Sequence, residues 1–164
     1  MFPFIVALLF LQDVPETPEK EVVVTATREE ADTFDLPFSV DSINRDDLLH
    51  RSLFRSLPEA LRETAGIMVQ KTGQGQGSPF LRGFTGFRTL MLIDGIRLNN
   101  SVFRDGPNQY WNTVDPFSID RLEVVRGPSS VLYSSDAIGG TVNALTIRPD
   151  VYQEEGVGYG GRWY

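Results

Sequence analysis

The chain of 164 residues contains no cysteine, one histidine and, among its 15 cationic residues, only two lysines. Without cysteine there is neither a disulfide framework nor a thiolate zinc site. The lone histidine, His50, excludes a His-rich metal site and a catalytic dyad of cysteine and histidine or of two histidines. A nucleophile elbow of the G-x-S-x-G type is also missing. We therefore predict that the chain is not an enzyme and that it has no catalytic residue, no metal site and no cofactor.

Positive charge is scarce, since the net charge is −7 and the isoelectric point is about 4.7. This balance argues against a nucleic-acid partner, whose binding surface is normally basic. The apolar run Met1–Leu11 is too short for a transmembrane helix, which needs about 20 residues. Its length is typical of the apolar region of an export signal, although no basic residue precedes it and no small-residue cleavage site follows. A short buried helix or a misplaced start codon is the alternative.

The most informative stretch runs from Ile119 to Arg148. It predicts a strand, a Gly-Pro turn at Gly127, a short helix, a turn at Gly139-Gly140 and a second strand. Upstream, further strands are predicted at 38–43, 67–70 and 89–93, and helices at 46–53 and 57–64. Leucines at 49, 53, 57 and 61 form one helical face, and His50 is expected in this core-facing region. The predicted fold class is α+β, a small mixed sheet of about four strands with short helices and loops.

Near the N-terminus, the residues from Glu21 to Arg28 include three valines and two threonines, which favour an extended strand. One interpretation is an ordinary edge strand. The other is an exposed strand that a partner captures by adding it to the edge of a sheet.

Three charged residues, Arg82, Glu123 and Arg126, are predicted to lie beside glycines in short apolar strands. A charge in such surroundings needs a partner. Two interpretations remain open, because these residues either pair with one another or contact groups outside the chain.

The stretch from Ile119 resembles the signature of the plug domain of TonB-dependent outer-membrane receptors, roughly R-I-E-V-[IL]-R-G-P-x-S-x-L-Y-G-S-x-A-I-G-G-x-[IV]-N. Leu81-Arg82-Gly83 and the hairpin from Leu92 to Leu98 are similar to two further plug elements, in family order. The sequence departs from the pattern at Ser134, where the family has glycine, and a positive φ there would strain the backbone. The segment before the plug resembles the family's TonB box, with these residues: Glu21, Val22, Val23, Val24, Thr25 and Ala26.

The resemblance implies a gate within the barrel of an exported outer-membrane receptor, facing the periplasm, which takes up a scarce nutrient such as an iron-siderophore, haem or cobalamin. Its implied partners are the periplasmic C-terminal domain of TonB, the receptor's own β-barrel and a small nutrient ligand. It also implies that Arg82, Glu123 and Arg126 contact the barrel wall. Outward loops at 72–79, 84–88 and 99–111 supply the candidate substrate contacts: Gln74, Gln76, Phe84, Phe87, Arg104, Tyr110 and Trp111.

The expected organisation has four parts. Residues 1–20 are a signal-like apolar segment and linker, 21–33 the TonB-box-like strand and linker, 34–150 the plug, and 151–164 the start of a first barrel strand. We therefore expect a fragment or a truncated reading frame. The alternative function is a stand-alone soluble periplasmic ligand-binding or protein-interaction module without a barrel, which the genomic sequence immediately downstream would distinguish.

Overall fold

The computed structural model describes residues 22–50, 54–73, 76–98, 110–133 and 135–148. Strands and short helices alternate along the chain, and short 3-10 turns join several of them. The strands are β1 (Val22–Val23), β2 (Ala31–Asp32), β3 (Ser39–Asn44), β4 (Ile67–Gly73), β5 (Gln76–Leu81), β6 (Thr89–Ile93), β7 (Ile96–Arg97), β8 (Ile119–Arg126) and β9 (Gly140–Thr146). The helices are α1 (Arg45–His50), α2 (Leu57–Ala60) and α3 (Ser130–Tyr133).

A five-stranded mixed sheet with the order β3-β8-β9-β6-β7 forms the centre of the fold. Its β6 and β9 strands run parallel, and the other neighbours are antiparallel. The α+β class is confirmed. The sheet has one strand more than predicted, because the short return after the Asp94-Gly95 turn pairs with β6 as β7.

Alternation along the strands gives this sheet two different faces. The core face carries these apolar side chains: Met91, Leu122, Val124, Val142 and Ala144. The opposite face, called the segment face, carries Leu90, Leu92, Glu123, Val125, Thr141 and Asn143. All of these residues are buried, so both faces are covered.

Apolar packing covers the core face. Helix α2, the β4–β5 hairpin and a 3-10 turn at Tyr110–Thr113 bring Leu57, Leu61, Leu81 and Trp111 onto it. Each of these four side chains is 0% exposed. Burial of large apolar side chains contributes roughly 1.5–3 kcal/mol each, so this face supplies most of the hydrophobic stabilisation.

The segment face is covered by the N-terminal part of the described chain and by α3. Val23 and Ala26 pack on Val125, with Leu36 and Val40 at the margin. A second small cluster joins Leu90, Leu92, Tyr133 and Ala137.

Tight turns hold the strands in register. In Arg82-Gly83, φ is 50° and 86°, and in Asp94-Gly95 it is 49° and 80°, as type I′ hairpin turns require. Gly140 has φ 150°, and a Cβ there would lie 2.5 Å from the Val125 carbonyl oxygen. A side chain at position 140 would therefore separate β8 from β9.

Several local predictions need correction. The predicted loop at 72–79 is largely the β4–β5 hairpin, in which Val69 lies opposite Pro79. In α1, Leu48 is the buried leucine and His50 is exposed, with its Nδ1 3.1 Å from the Asp46 carbonyl oxygen. The leucine stripe therefore holds for Leu57 and Leu61 but not for α1. Within the described ranges, the structure contains no helix long and apolar enough to cross a membrane.

Candidate functional site

The segment Val22–Ala26 lies on the segment face, held mainly by side chains of the sheet. Strand β1 pairs with β2 in a separate two-stranded sheet. Beyond β1, the backbone N–H groups of Val24 and Thr25 donate to Glu123 Oε2, at 3.0 and 2.7 Å. The Thr25 hydroxyl donates to the same oxygen, at 2.6 Å. A single carboxylate oxygen therefore replaces a partner strand for this segment.

Glu123 is fully buried, at 0% exposure, in the middle of β8. Its other oxygen, Oε1, lies 3.0 Å from Nε of Arg121, which stands on the same face two residues earlier. This is a charge pair without hydrogen-bond geometry, since neither atom has a hydrogen-bond partner. A carboxylate in such surroundings is costly unless it is paired, so the three donors from the segment stabilise it as much as it holds them.

Asn143 extends the network from the segment to a hairpin turn. It lies directly across from Glu123 in the β8–β9 ladder. Its Nδ2 donates to Thr25 Oγ1 at 3.0 Å, and its Oδ1 accepts from the N–H of Gly95 at 3.1 Å. The Asp94-Gly95 turn and the N-terminal segment therefore share one buried amide.

Tyr133, at the end of α3, completes the set. Its hydroxyl donates to the Thr25 carbonyl oxygen at 2.8 Å, and its ring lies under the Arg28 guanidinium, 4.7 Å from the ring centroid. Burial raises the pKa of Tyr133, which favours the neutral, hydrogen-donating phenol. We call Thr25, Glu123, Tyr133 and Asn143 the docking network.

A cavity of about 800 Å³ borders the docking network. It is lined by three arginines and three carboxylates, with other residues of β9: Arg28, Arg121, Arg148, Glu30, Asp94 and Asp120. The charged lining makes this a polar space from which solvent reaches Arg121, whose side chain is 33% exposed. The network is therefore buried under the segment but close to water at one side.

The prediction of an exposed strand is wrong for this conformation. Val22 is 36% exposed, but Val23, Thr25 and Ala26 are at most 1% exposed. The valine-rich stretch forms a strand only over Val22–Val23, because Glu123 draws the next two N–H groups out of strand pairing. Glu21, also predicted to belong to this segment, lies outside the described residues.

The three charges predicted to contact a barrel have different surroundings. Arg82 is exposed at the tip of a type I′ turn rather than inside an apolar strand. Arg126 Nη2 lies 2.6 Å from Asp41 Oδ2, and Arg126 Nη1 donates to the Ala65 carbonyl oxygen. Glu123 is taken up by the docking network, which leaves it no free surface for an outside contact. The three do not pair with one another.

Among the substrate-loop candidates, Trp111 is misassigned, since its side chain is 0% exposed in the core-face cluster. Phe84 is 40% exposed and Phe87 is half-buried. Gln74 and Arg104, and also Ser134, lie outside the described residues. The side chains of Gln76 and Tyr110 are likewise outside the description.

Sequence reasoning missed Thr25 as an anchor, Tyr133 as a donor and Asn143 as a bridge. A signal existed at position 143, since an amide inside the apolar run from Val142 to Ile147 must find partners when it is buried. Its partner Thr25 is 118 positions away in the chain. Local patterns do not carry a pairing at that separation.

Comparison with known proteins identifies the family. The model of the TonB-dependent receptor plug domain matches residues 32–141. The iron-regulated outer membrane virulence protein of Vibrio cholerae serotype O1 is 39% identical over 155 residues, which cover 92% of this chain and 23% of that protein. The vitamin B12 transporter of Vibrio cholerae serotype O1 is 37% identical over 131 residues, covering 79% of this chain and 21% of that protein.

Solved structures agree with these matches. The ferripyoverdine receptor of the outer membrane of Pseudomonas aeruginosa, bound to ferripyoverdine, superposes with a TM-score of 0.63 at 25% identity, over 79% of this chain and 16% of that one. The siderophore receptor PirA from Pseudomonas aeruginosa gives 0.53 at 32% identity, over 70% and 19%. The chain spans about a fifth of the length of the proteins it matches. It belongs to the family of TonB-dependent receptor plug domains, whose members are parts of outer-membrane receptors and transporters.

Proposed function

We propose that this chain is the gate of an outer-membrane receptor that actively takes up a scarce nutrient, an iron-siderophore, haem or cobalamin. The family match over residues 32–141 is the observation that carries the proposal. The named activities of the relatives support the nutrient classes, since one is iron-regulated, one transports vitamin B12 and one holds ferripyoverdine. In this role the sheet and its core face fill the lumen of the receptor barrel.

The exposed, unassigned charges and aromatics supply the outward contacts in this proposal. Arg82 at its turn contacts the barrel wall, and Phe84 beside it is exposed towards ligand or barrel. Binding measurements on the receptor that contains this plug, with a ferric siderophore, haem and cobalamin as separate probes, test the nutrient class. Saturable binding of one probe supports the proposal, and binding of none of the three contradicts it.

The residues from Glu21 to Ala26 are proposed as the TonB-binding segment. Three consecutive valines followed by Thr-Ala suit addition to a sheet edge. In the structure this segment shares its strand pairing only with the two-residue β2, so little backbone pairing has to be broken before a partner strand replaces it.

Crosslinking to the C-terminal domain of TonB tests this segment. Val23→Pro removes a backbone donor that a partner strand needs, so crosslinking should be lost. Val23→Thr is the matched control, because it keeps both the N–H group and the β-branched shape. Equal crosslinking yields for the two variants would rule out capture by strand addition at this position.

A further inference from the structure

We propose that the docking network is a built-in restraint that keeps the Val22–Ala26 segment from its partner until Glu123 releases it. The inference rests on the proposed capture of this segment and adds the residues that control it. Its basis is the geometry around Thr25, whose N–H, hydroxyl and carbonyl groups are all taken up by side chains of the sheet and α3.

The docked segment cannot serve as a partner's strand. Strand addition needs free backbone N–H and C=O groups at successive residues. Here the N–H groups of Val24 and Thr25 are bound to Glu123, and the Thr25 carbonyl is bound to Tyr133. Val23 and Ala26 are buried on either side of these contacts. Capture and docking therefore exclude each other.

Glu123 is the residue on which release depends. One of its oxygens accepts three hydrogen bonds from the segment, and hydrogen bonds to a charged acceptor are about twice as strong as neutral ones. When the segment leaves, Arg121 remains beside the carboxylate and the neighbouring polar cavity supplies water. The buried charge is therefore not stranded on release, so the docked state can open without unfolding the sheet.

Asn143 gives the restraint a second point of control. It binds Thr25 with its amide nitrogen and the Asp94-Gly95 turn with its amide oxygen. Asp94 in turn accepts hydrogen bonds from the N–H and hydroxyl of Thr146, at 2.8 and 2.7 Å. A displacement of this turn is therefore transmitted directly to Thr25.

The absence of cysteine allows a clean test in the whole chain, because a single introduced thiol reports on one place. Ala26→Cys puts a thiol in the docked segment at a position that is 1% exposed, and its maleimide labelling rate measures how often the segment opens. We expect Glu123→Gln to raise this rate about tenfold or more, and Thr25→Val, which removes only the hydroxyl contacts, to raise it severalfold. Asp120→Asn, which removes an exposed carboxylate from the same strand, is the matched control and should leave it unchanged.

A thiol at position 142, introduced by Val142→Cys on the core face, reports global unfolding instead. If Glu123→Gln accelerates labelling equally at positions 26 and 142, or at neither, the restraint is refuted. If only position 26 responds, it is supported. Should Glu123→Gln fail to fold, the same pair of probes with Thr25→Val decides the question, because unchanged labelling at position 26 in that variant contradicts the restraint.

Crosslinking to the TonB C-terminal domain separates this inference from the proposed function. Faster labelling together with faster crosslinking of Glu123→Gln supports both. Faster labelling at position 26 with no crosslinking in any variant supports the restraint and removes TonB as the partner. Unchanged labelling with normal crosslinking leaves the capture intact and refutes the restraint.

Discussion

The two faces of the central sheet are covered by different chemistry. The core face is packed with apolar side chains from α2, the β4–β5 hairpin and Trp111. The segment face is covered by a short stretch of chain held through Glu123, Asn143 and Tyr133. Close-packed apolar surfaces respond to any loss of volume, whereas hydrogen bonds to a mobile segment can be exchanged for water. The comparison indicates that one face maintains the fold and the other permits a change.

Trp111→Ala should break the comparison on the core face and has the largest expected effect. The side chain is fully buried, so its loss leaves a cavity and should cost about 3–5 kcal/mol of the free energy of unfolding. Urea denaturation followed by circular dichroism measures this. Trp111→Phe, which keeps most of the apolar contact, is the control and should cost clearly less. A loss below about 1 kcal/mol for Trp111→Ala would show that the core face does not maintain the fold.

Tyr133→Phe should sharpen the comparison on the segment face. It removes the hydrogen bond to the Thr25 carbonyl but keeps the ring under Arg28, so about 1 kcal/mol should be lost. Hydrogen exchange should accelerate at residues 23–26 and stay unchanged in β8 and β9. Acceleration throughout the sheet would contradict the separation of the two faces.

The same tyrosine predicts a response to alkaline pH. Burial, the largest cause, and the nearby Glu123 raise the pKa of Tyr133, while Arg28 opposes them. A raised folded-state pKa means that this stabilisation is complete below the unfolded value of about 10 and is lost as pH rises through the folded value. Above that range the phenolate has no proton to donate to Thr25. The difference in stability between the wild type and Tyr133→Phe should therefore narrow at high pH, and a difference that widens would refute the assignment.

The core face was largely predictable from the sequence, and the segment face was not. Periodicity and turn residues indicated β6, β8 and β9 and the Asp94-Gly95 hairpin, because those signals lie within a few residues of each other. They failed at Trp111, where an aromatic in a polar stretch was interpreted as a surface contact although tertiary packing buries it. They also failed at Thr25, because its partners Glu123 and Asn143 lie 98 and 118 positions away. What the sequence could indicate at Glu123 was the need for a partner, but not which partner.

The smallest expected effect tests whether the core face also contains a pH-sensitive contact. Glu59 in α2 pairs with Lys71 in β4 and accepts the Arg55 N–H at 2.8 Å. The hydrogen bond from Lys71 is the main cause that lowers the pKa of Glu59, followed by the one from Arg55. A lowered folded-state pKa gives stabilisation that is present above the unfolded value, near 4.5, and is lost as pH falls through the folded value. Lys71 is partly exposed, so solvent screening limits the contribution to about 1 kcal/mol or less. The wild type should therefore exceed Glu59→Gln in unfolding free energy at pH 7 and approach it at pH 3. Because other carboxylates titrate in both proteins, only the difference between the two curves is diagnostic. A constant difference across that range would show that the two elements are held together by apolar packing alone, which would make the contrast between the faces sharper still.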